Sequence, residues 1–421
     1  MSDPRQRLDP YVDQYSARAA GMLASPIRAL FSVASRPEIV SLAGGMPYVT
    51  ALPLDAVGEL AGQLITDRGA VTLQYGSGQG DPGLREGICE VMALEGIHAN
   101  PDEVVVTVGS QQALDLLTRI FIDPGDVILA EAPSYVGALT IFASYQADVV
   151  HVPMDDDGLV PEALEETITR LAAAGKRVKF LYSVPTFHNP GAVTLTSDRR
   201  ARVLDICQRA GLLLIEDNPY GLLGFDGEPH RAMRADSADG VVYLGSFSKT
   251  IAPGLRVGWA LAPHAIRDKL VLAAESAVLC HSSLSQLVVR EYLATQPWQQ
   301  QIKTFRELYA GRRDAMLGAL EASMPEGCRW TRPGGGFYVW LKLPSGLDAG
   351  SMLPRAITDR VAYVPGTGFY ADGSGAEYMR LSYCYPEPDR IREGVRRLAG
   401  TIQAEQELLA AFGTLPADGT A

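Results

Sequence analysis

Apolar residues along this chain fall into two alternating patterns. Short runs rich in Val, Ile and Leu occupy 104–108, 127–131, 149–152, 178–184, 212–216, 241–245 and 257–261, and predict strands. Between several of them lie amphipathic stretches, at 110–122, 134–145, 161–174 and 197–210, which predict helices. Strands alternating with helices of this length predict an α/β fold with a mostly parallel seven-stranded sheet, covered on both faces. From about Ser282 the pattern changes. A helical stretch runs past Leu320, broken near Pro297, followed by strands at 336–343, 362–364 and 378–383 and a helix from Pro386 to about Leu408. The expected organisation is an N-terminal arm with part of the small domain (1–50, with a short helix at 26–35), a large domain (51–285), a smaller α+β domain (286–409) and a fraying tail (410–421).

Composition narrows the class. The chain has 421 residues, 47% hydrophobic and 20% charged, an ordinary globular make-up. A formal net charge of -12 argues against a nucleic-acid surface or an anionic membrane as partner. Five scattered cysteines with no C-x-x-C pair fit a reducing cytoplasm, and six dispersed histidines give no metal-ligand spacing. The polar N-terminus has no signal-peptide core, and no apolar run is long enough to span a bilayer.

In sheets of this kind, sites gather at the carboxyl ends of the strands. The run 241–245 ends in Ser246-Phe247-Ser248-Lys249, with Pro253-Gly254-Leu255-Arg256 beyond. Most lysines are solvated loop charges, but burial beside cations is a standard way to make one nucleophilic. The other strand ends supply its company. The run 104–108 leads into Gly109-Ser110-Gln111 at a helix start, an anion site or simply a cap. The run 127–131 ends near Tyr135, either a half-buried helix-start residue or a stacking ring, and 178–184 ends near Asn189-Pro190, a turn. The run 212–216 ends in Glu216-Asp217, acids that are costly to bury unless a cation or strong donor meets them, with Tyr220 just beyond. An anion cradle, a flat ring, an amide, an acid, a phenol, a lysine and an arginine together suit pyridoxal 5'-phosphate. Lysine takes its aldehyde, an acid keeps its pyridine nitrogen protonated, and arginine with N–H donors holds its phosphate.

Over nearly its whole length the chain resembles the fold-type I pyridoxal-phosphate enzymes, specifically the class I/II aminotransferases. The resemblance is carried by Ser246-Phe247-Ser248-Lys249-x-x-x-Pro253-Gly254-Leu255-Arg256-Val257-Gly258, Gly109-Ser110-Gln111-Gln112-Ala113-Leu114, Asn189-Pro190 and Asp217-x-x-Tyr220. It implies that Lys249 binds the cofactor and carries the substrate proton, that Asp217 pairs with the pyridine nitrogen, and that Asn189 and Tyr220 hold the ring hydroxyl. It further implies that Tyr135 stacks on the ring and that Ser110, Gln111, Ser246, Ser248 and Arg256 take the phosphate. Arg380 would grip the substrate α-carboxylate, near Asn189 and Gly45. Tyr75 would reach the phosphate of a neighbouring subunit, which implies a homodimer with shared sites. One departure stands out: the family usually reads Asn-Pro-Thr-Gly where this chain has Asn189-Pro190-Gly191-Ala192.

Gly78-x-Gly80-x-x-Gly83 is formally a dinucleotide motif, but Asp102 and Glu103 precede the next strand where a ribose-binding acid would end it. These glycines are read as the loop carrying Tyr75. The segments Leu42-Ala43-Gly44-Gly45 and Ser25-Pro26-Ile27-Arg28 resemble the branch of 2-aminoadipate and aromatic aminotransferases. There Arg28 either meets a distal substrate carboxylate or is an exposed helix arginine. The expected reaction moves an amino group from an apolar, aromatic or 2-aminoadipate-like L-amino acid to a 2-oxo acid such as 2-oxoglutarate. A lyase or synthase on the same scaffold, or a non-catalytic effector sensor, is the alternative.

Overall fold

The computed structural model describes residues 9–20, Met22 and 36–412. The helix expected at 26–35, with Arg28 on it, and the tail from Thr414 lie outside the described residues.

Beyond short helical turns at Val12–Gln14 and Ala17–Ala20, a two-residue strand, β1 (Val40–Ser41), leads to helices α1 (Leu54–Thr72) and α2 (Pro82–Ala93). Helix α2 starts sharply because the Asp81 side chain accepts from the Leu84 N–H while Pro82 occupies the first turn, where a missing N–H costs nothing. The main sheet follows, comprising β2 (Val104–Thr107), β3 (Val127–Ala132), β4 (Asp148–Asp155), β5 (Gly158–Leu159), β6 (Val178–Ser183), β7 (Leu213–Asp217), β8 (Val241–Ser246) and β9 (Gly258–Leu261). Its eight strands lie in the order β2-β9-β8-β7-β6-β3-β4-β5. Strand β9 runs antiparallel to both neighbours, β5 folds back on β4, and the other pairs are parallel. The seven expected strands are all present. The eighth, β5, is too short to leave a periodic signal in the sequence.

Alternation along the strands sends successive side chains to opposite faces, and each face has its own helices. Val105, Ile128, Phe180, Ile215 and Val242 pack beneath α3 (Gly109–Phe121), α4 (Val136–Ser144) and α7 (His264–Val278). Val127, Leu129, Leu181, Leu214 and Val241 pack beneath α5 (Pro161–Ala173) and α6 (Ser197–Arg209). The apolar runs read as continuous because both faces are buried.

After α8 (Ser283–Thr295) and α9 (Trp298–Ser323) the chain builds a smaller sheet of β10 (Arg329–Trp330), β11 (Tyr338–Lys342), β13 (Val364–Pro365) and β14 (Tyr378–Ser382), ordered β10-β11-β14-β13. Helices α10 (Ala349–Thr358) and α11 (Pro388–Phe412) complete this unit. Strand β12 (Val361–Ala362) pairs in parallel with β1, so the segment leading to Gly45 is tied to the C-terminal unit. Among the described residues no helix is long and apolar enough to cross a membrane, and no cluster of three metal-ligating side chains occurs.

A tight backbone joint in the large sheet lies at Gly258, the first residue of β9. A Cβ there would sit 2.6 Å from the Gly109 backbone and 2.6 Å from the Ser110 nitrogen, neither of which can swing aside. Gly258→Ala is therefore expected to destabilise the protein by about 2–3 kcal/mol, as overpacking against rigid neighbours does. Urea unfolding measures it. Wild-type stability in that variant would mean that β9 and α3 can part at no cost.

Candidate active site at the strand ends

Twelve residues singled out from the sequence line one cavity of about 540 Å³ at the carboxyl end of the large sheet. Lys249 lies just past β8, and its Nζ donates to the Gly45 carbonyl at 2.9 Å. Burial pulls its ammonium down to about 8; the nearby Arg380 and Arg256 add to the fall, and Cys384 opposes it. A lysine in this state is a usable nucleophile near neutral pH.

Strand geometry separates the two acids that end β7. Glu216 faces away from the cavity and accepts from the Met233 and Arg234 N–H groups at 3.0 and 2.8 Å, with Arg200 3.9 Å away. It is a structural anchor. Asp217, one residue on, lines the cavity and is 5% exposed. Its Oδ2 accepts from the Tyr182 hydroxyl at 2.8 Å, while its Oδ1 has no hydrogen-bond partner. Burial raises its pKa to about 6 and the Tyr182 bond holds it from rising further. A buried carboxylate with one free oxygen is a receptor for a cationic N–H.

The other end of the cavity is built for an anion. Backbone N–H groups of Gly109, Ser110 and Gln111 open α3, where the helix dipole is positive. Arg256, in a left-handed conformation at φ 53°, places its guanidinium against this turn, donating to the Val108 carbonyl at 3.0 Å and to Ser248 Oγ at 3.2 Å. Gly109 itself sits at φ 74°, and a Cβ on it would lie 2.5 Å from the Arg256 Nη2. Ser246 and Ser248 hydroxyls bond each other at 2.9 Å beside them. Between the two ends stands Tyr135, its phenol pushed up to about 12 by burial and by Asp217. Its ring lies over Gly137, where any side chain would collide with it.

Arg380 comes from β14 of the smaller unit and is 3% exposed. It donates to Asn189 Oδ1 at 2.8 Å and to the Ala43 carbonyl at 2.9 Å, with its Nε unpartnered. Tyr75 is not in the cavity. It is 77% exposed on the loop after α1, whose Gln74 carbonyl accepts from Ser283. The glycines Gly78, Gly80 and Gly83 belong to that loop and the start of α2, and Asp102 pairs with Arg85 at 3.0 Å. Arg28 lies outside the described residues.

Three features of the site escaped the sequence reading. Tyr182 sits inside an apolar strand, where its partner Asp217 is invisible. Tyr338 lines the cavity behind three consecutive glycines, with its hydroxyl 3.4 Å from that of Tyr220. The third lies at the Asn189-Pro190-Gly191-Ala192 departure. His188 is buried, its Nδ1 accepts from the Gly191 N–H at 3.0 Å, and its Nε2 lies 3.2 Å from Glu131 Oε2. Glu131 in turn accepts from Ser183 Oγ and the Val184 N–H at 2.7 and 2.8 Å. A Cβ at Gly191 would approach His188 Nδ1 and Met154 Cε to 3.1 Å each, so a larger residue there would press on the turn that His188 holds. Glu131 ends an apolar run just as Asp217 does, and that was the available signal.

This fold and this arrangement of lysine, acid and anion cradle define a pyridoxal-phosphate enzyme of fold type I. The family model "Aminotransferase class I and II" matches residues 39–398, and the chain belongs to that family. It is similar to aromatic-amino-acid aminotransferase 1 of Thermococcus litoralis, at 42% identity over 94% of this chain and 96% of the relative. It is also similar to the 2-aminoadipate transaminase of Thermus thermophilus, at 38% identity over 93% of this chain and 97% of that one. Among solved structures, the kynurenine aminotransferase of Pyrococcus horikoshii, crystallised with pyridoxamine phosphate, superposes with a TM-score of 0.90 at 40% identity, covering 95% of this chain and 99% of that one. The chain is an aminotransferase, and its cofactor is pyridoxal 5'-phosphate.

The raised pKa of Asp217 has a thermodynamic consequence. From 3.8 to about 6, the shift means that the folded protein binds this proton more tightly than the unfolded chain does. The stabilisation is full below pH ~4 and is lost as pH rises through about 6, after which ionised Asp217 costs the cofactor-free protein on the order of 3 kcal/mol. Asp217→Asn should therefore melt higher than wild type at pH 8 when cofactor-free, with the gap closing at pH 4, while holding cofactor more weakly. Thermal melts at the two pH values check this, and an unchanged melt at pH 8 would mean that the buried carboxylate is already satisfied.

Proposed function

We propose that this aminotransferase takes an apolar, aromatic or 2-aminoadipate-like L-amino acid as donor and a 2-oxo acid such as 2-oxoglutarate as acceptor, in a ping-pong cycle. The observation that carries this reading is Arg380, a buried guanidinium in the same cavity as Lys249, with Nε still unpartnered. A bidentate cation so placed suits an α-carboxylate, which every amino and 2-oxo acid shares. The choice of side chain follows the names of the relatives, which act on aromatic amino acids, 2-aminoadipate and kynurenine.

The donor set fits pyridoxal phosphate from end to end. Asp217, with its free Oδ1, would hold the proton on the pyridine nitrogen. Asn189 and Tyr220 would meet the ring hydroxyl, and Tyr135 would cover the ring face. Ser110, Gln111, Ser246, Ser248 and Arg256 would receive the phosphate. When bound, the cofactor supplies an aldehyde and an electron-withdrawing ring that makes the substrate Cα acidic. Lys249 then has two tasks: to hold the cofactor between turnovers, and to move the proton from the substrate Cα. Gly45 supports both by fixing Nζ through its carbonyl, and it would face the bound substrate.

The active unit is read as a cytoplasmic homodimer. Val71, Leu73 and Tyr75 are large apolar side chains left exposed at the end of α1 and on the loop that follows it. An apolar patch of this kind marks an interface, and Tyr75 on it would reach the partner's phosphate site. Sedimentation equilibrium is expected to give a dimer of the 45.2 kDa chain, and Leu73→Glu to give monomers. A wild-type monomer would remove both the dimer and the role of Tyr75.

The reaction itself is tested by following the visible band of the cofactor-loaded protein as single amino acids are added without a 2-oxo acid. Loss of the band with release of the matching 2-oxo acid is expected, strongest for aromatic and apolar donors and 2-aminoadipate. Arg380→Ala should need at least about 10-fold more donor for the same rate, since a charge-assisted hydrogen bond contributes roughly 1.5–3 kcal/mol. A band that shifts but never bleaches would point to lyase, synthase or sensor chemistry instead.

A further inference from the structure

Tyr338 is a cavity residue whose contacts belong to two different tasks. Its ring lies 4.2 Å from the Arg380 guanidinium carbon, with the Phe369 ring 5.1 Å from the same carbon. Those rings limit where the guanidinium can swing. Its hydroxyl is 3.4 Å from the hydroxyl of Tyr220. Both tyrosines are 3% exposed, so water does not compete for either phenol. The fit is close: a Cβ on Gly45 would stand 2.0 Å from the Tyr338 oxygen, so glycine at 45 is what admits the phenol. The same Gly45 accepts from Lys249 Nζ through its carbonyl at 2.9 Å. One side chain thus touches the carboxylate anchor, the ring-hydroxyl partner and the segment that fixes the lysine.

We propose that Tyr338 is a positioning residue of the transamination site, steadying the Arg380 guanidinium with its ring face and orienting the Tyr220 phenol with its hydroxyl. A phenol both donates and accepts. When Tyr220 turns its proton towards a bound oxygen, its own oxygen is left with a lone pair in a dry site. Tyr338 is the neighbour able to donate to it. The exchange costs no new desolvation, and it ties the two anchoring points of the site to a single strand, β11. This inference rests on the aminotransferase reading for what Arg380 and Tyr220 bind, and on the geometry alone for what Tyr338 does to them.

Two substitutions separate the contacts. Tyr338→Phe keeps the ring and removes the hydroxyl, whereas Tyr338→Leu removes both. In cofactor-loaded protein, the pH midpoint of the visible band should move in Tyr338→Phe in the same direction as in Tyr220→Phe, by a smaller amount. The double variant Tyr220→Phe/Tyr338→Phe should match Tyr220→Phe alone, because the second hydroxyl acts only through the first. For Tyr338→Phe, kcat should fall about 2- to 10-fold, the range of one neutral hydrogen bond, with KM for the donor unchanged. For Tyr338→Leu, KM should rise as well. The proposal is overturned if Tyr338→Phe titrates like wild type, or if the two phenylalanine shifts simply add. The band titration needs no turnover, so it stands even if wild type releases no 2-oxo acid, a result that would sink the function reading instead.

Discussion

A guanidinium buried to 3% exposure must find partners or unfold the protein around it. Arg380 finds them beyond its own sheet: Asn189, just past β6 of the large sheet, and the Ala43 carbonyl on the segment after β1. Three stretches far apart in sequence are therefore held at one point by one cation. The satisfaction is incomplete, because Nε remains unpartnered. A buried, partly satisfied cation is costly in the free protein and becomes an asset when a carboxylate arrives. The geometry of the cavity converges on this clamp: Asn189 bonds it, Ala43 lies two residues before Gly45, and the Tyr338 ring faces it.

The same logic of incomplete satisfaction recurs at Asp217 and Lys249. An acid held near pKa 6 and an amine held near 8 are both displaced towards their neutral forms by burial. Neither shift makes the free protein more stable at neutral pH. Glu216, one residue from Asp217 and on the other face of the strand, shows what full satisfaction looks like, with two backbone donors and an arginine in reach. Alternation along a single strand thus divides adjacent acids between structure and chemistry.

Much of the fold was legible because buried parallel strands produce long apolar runs, and all seven of those runs became strands. The eighth, Gly158–Leu159, forms only because the turn after β4 brings two residues back beside it, which no local pattern encodes. The cavity-lining residues were legible where a chemically unusual side chain ended an apolar run, as at Asp217 and Lys249, or sat in a glycine-rich turn, as at Ser110. Tyr182, Tyr338 and His188 were not. A tyrosine inside a strand or a histidine before Asn-Pro has an ordinary reading, and only the tertiary pairing of Tyr182 with Asp217, Tyr338 with Tyr220, and His188 with Glu131 makes it specific. Glu131 ends an apolar run as Asp217 does, but its partners Ser183, Val184 and His188 lie far along the chain.

The balance of these terms bears on how the enzyme behaves as a folded object. A site carrying an underpartnered arginine, a disfavoured carboxylate and a desolvated amine stores unfavourable electrostatics that a suitable ligand relieves. Any molecule that binds the folded state and not the unfolded one stabilises it by mass action, and here the gain includes the relief of these buried groups. Cofactor and fold are then thermodynamically coupled. Groups that line the cofactor cavity are thus among those whose burial weakens the protein without a ligand, the trade-off expected where function and stability draw on the same side chains.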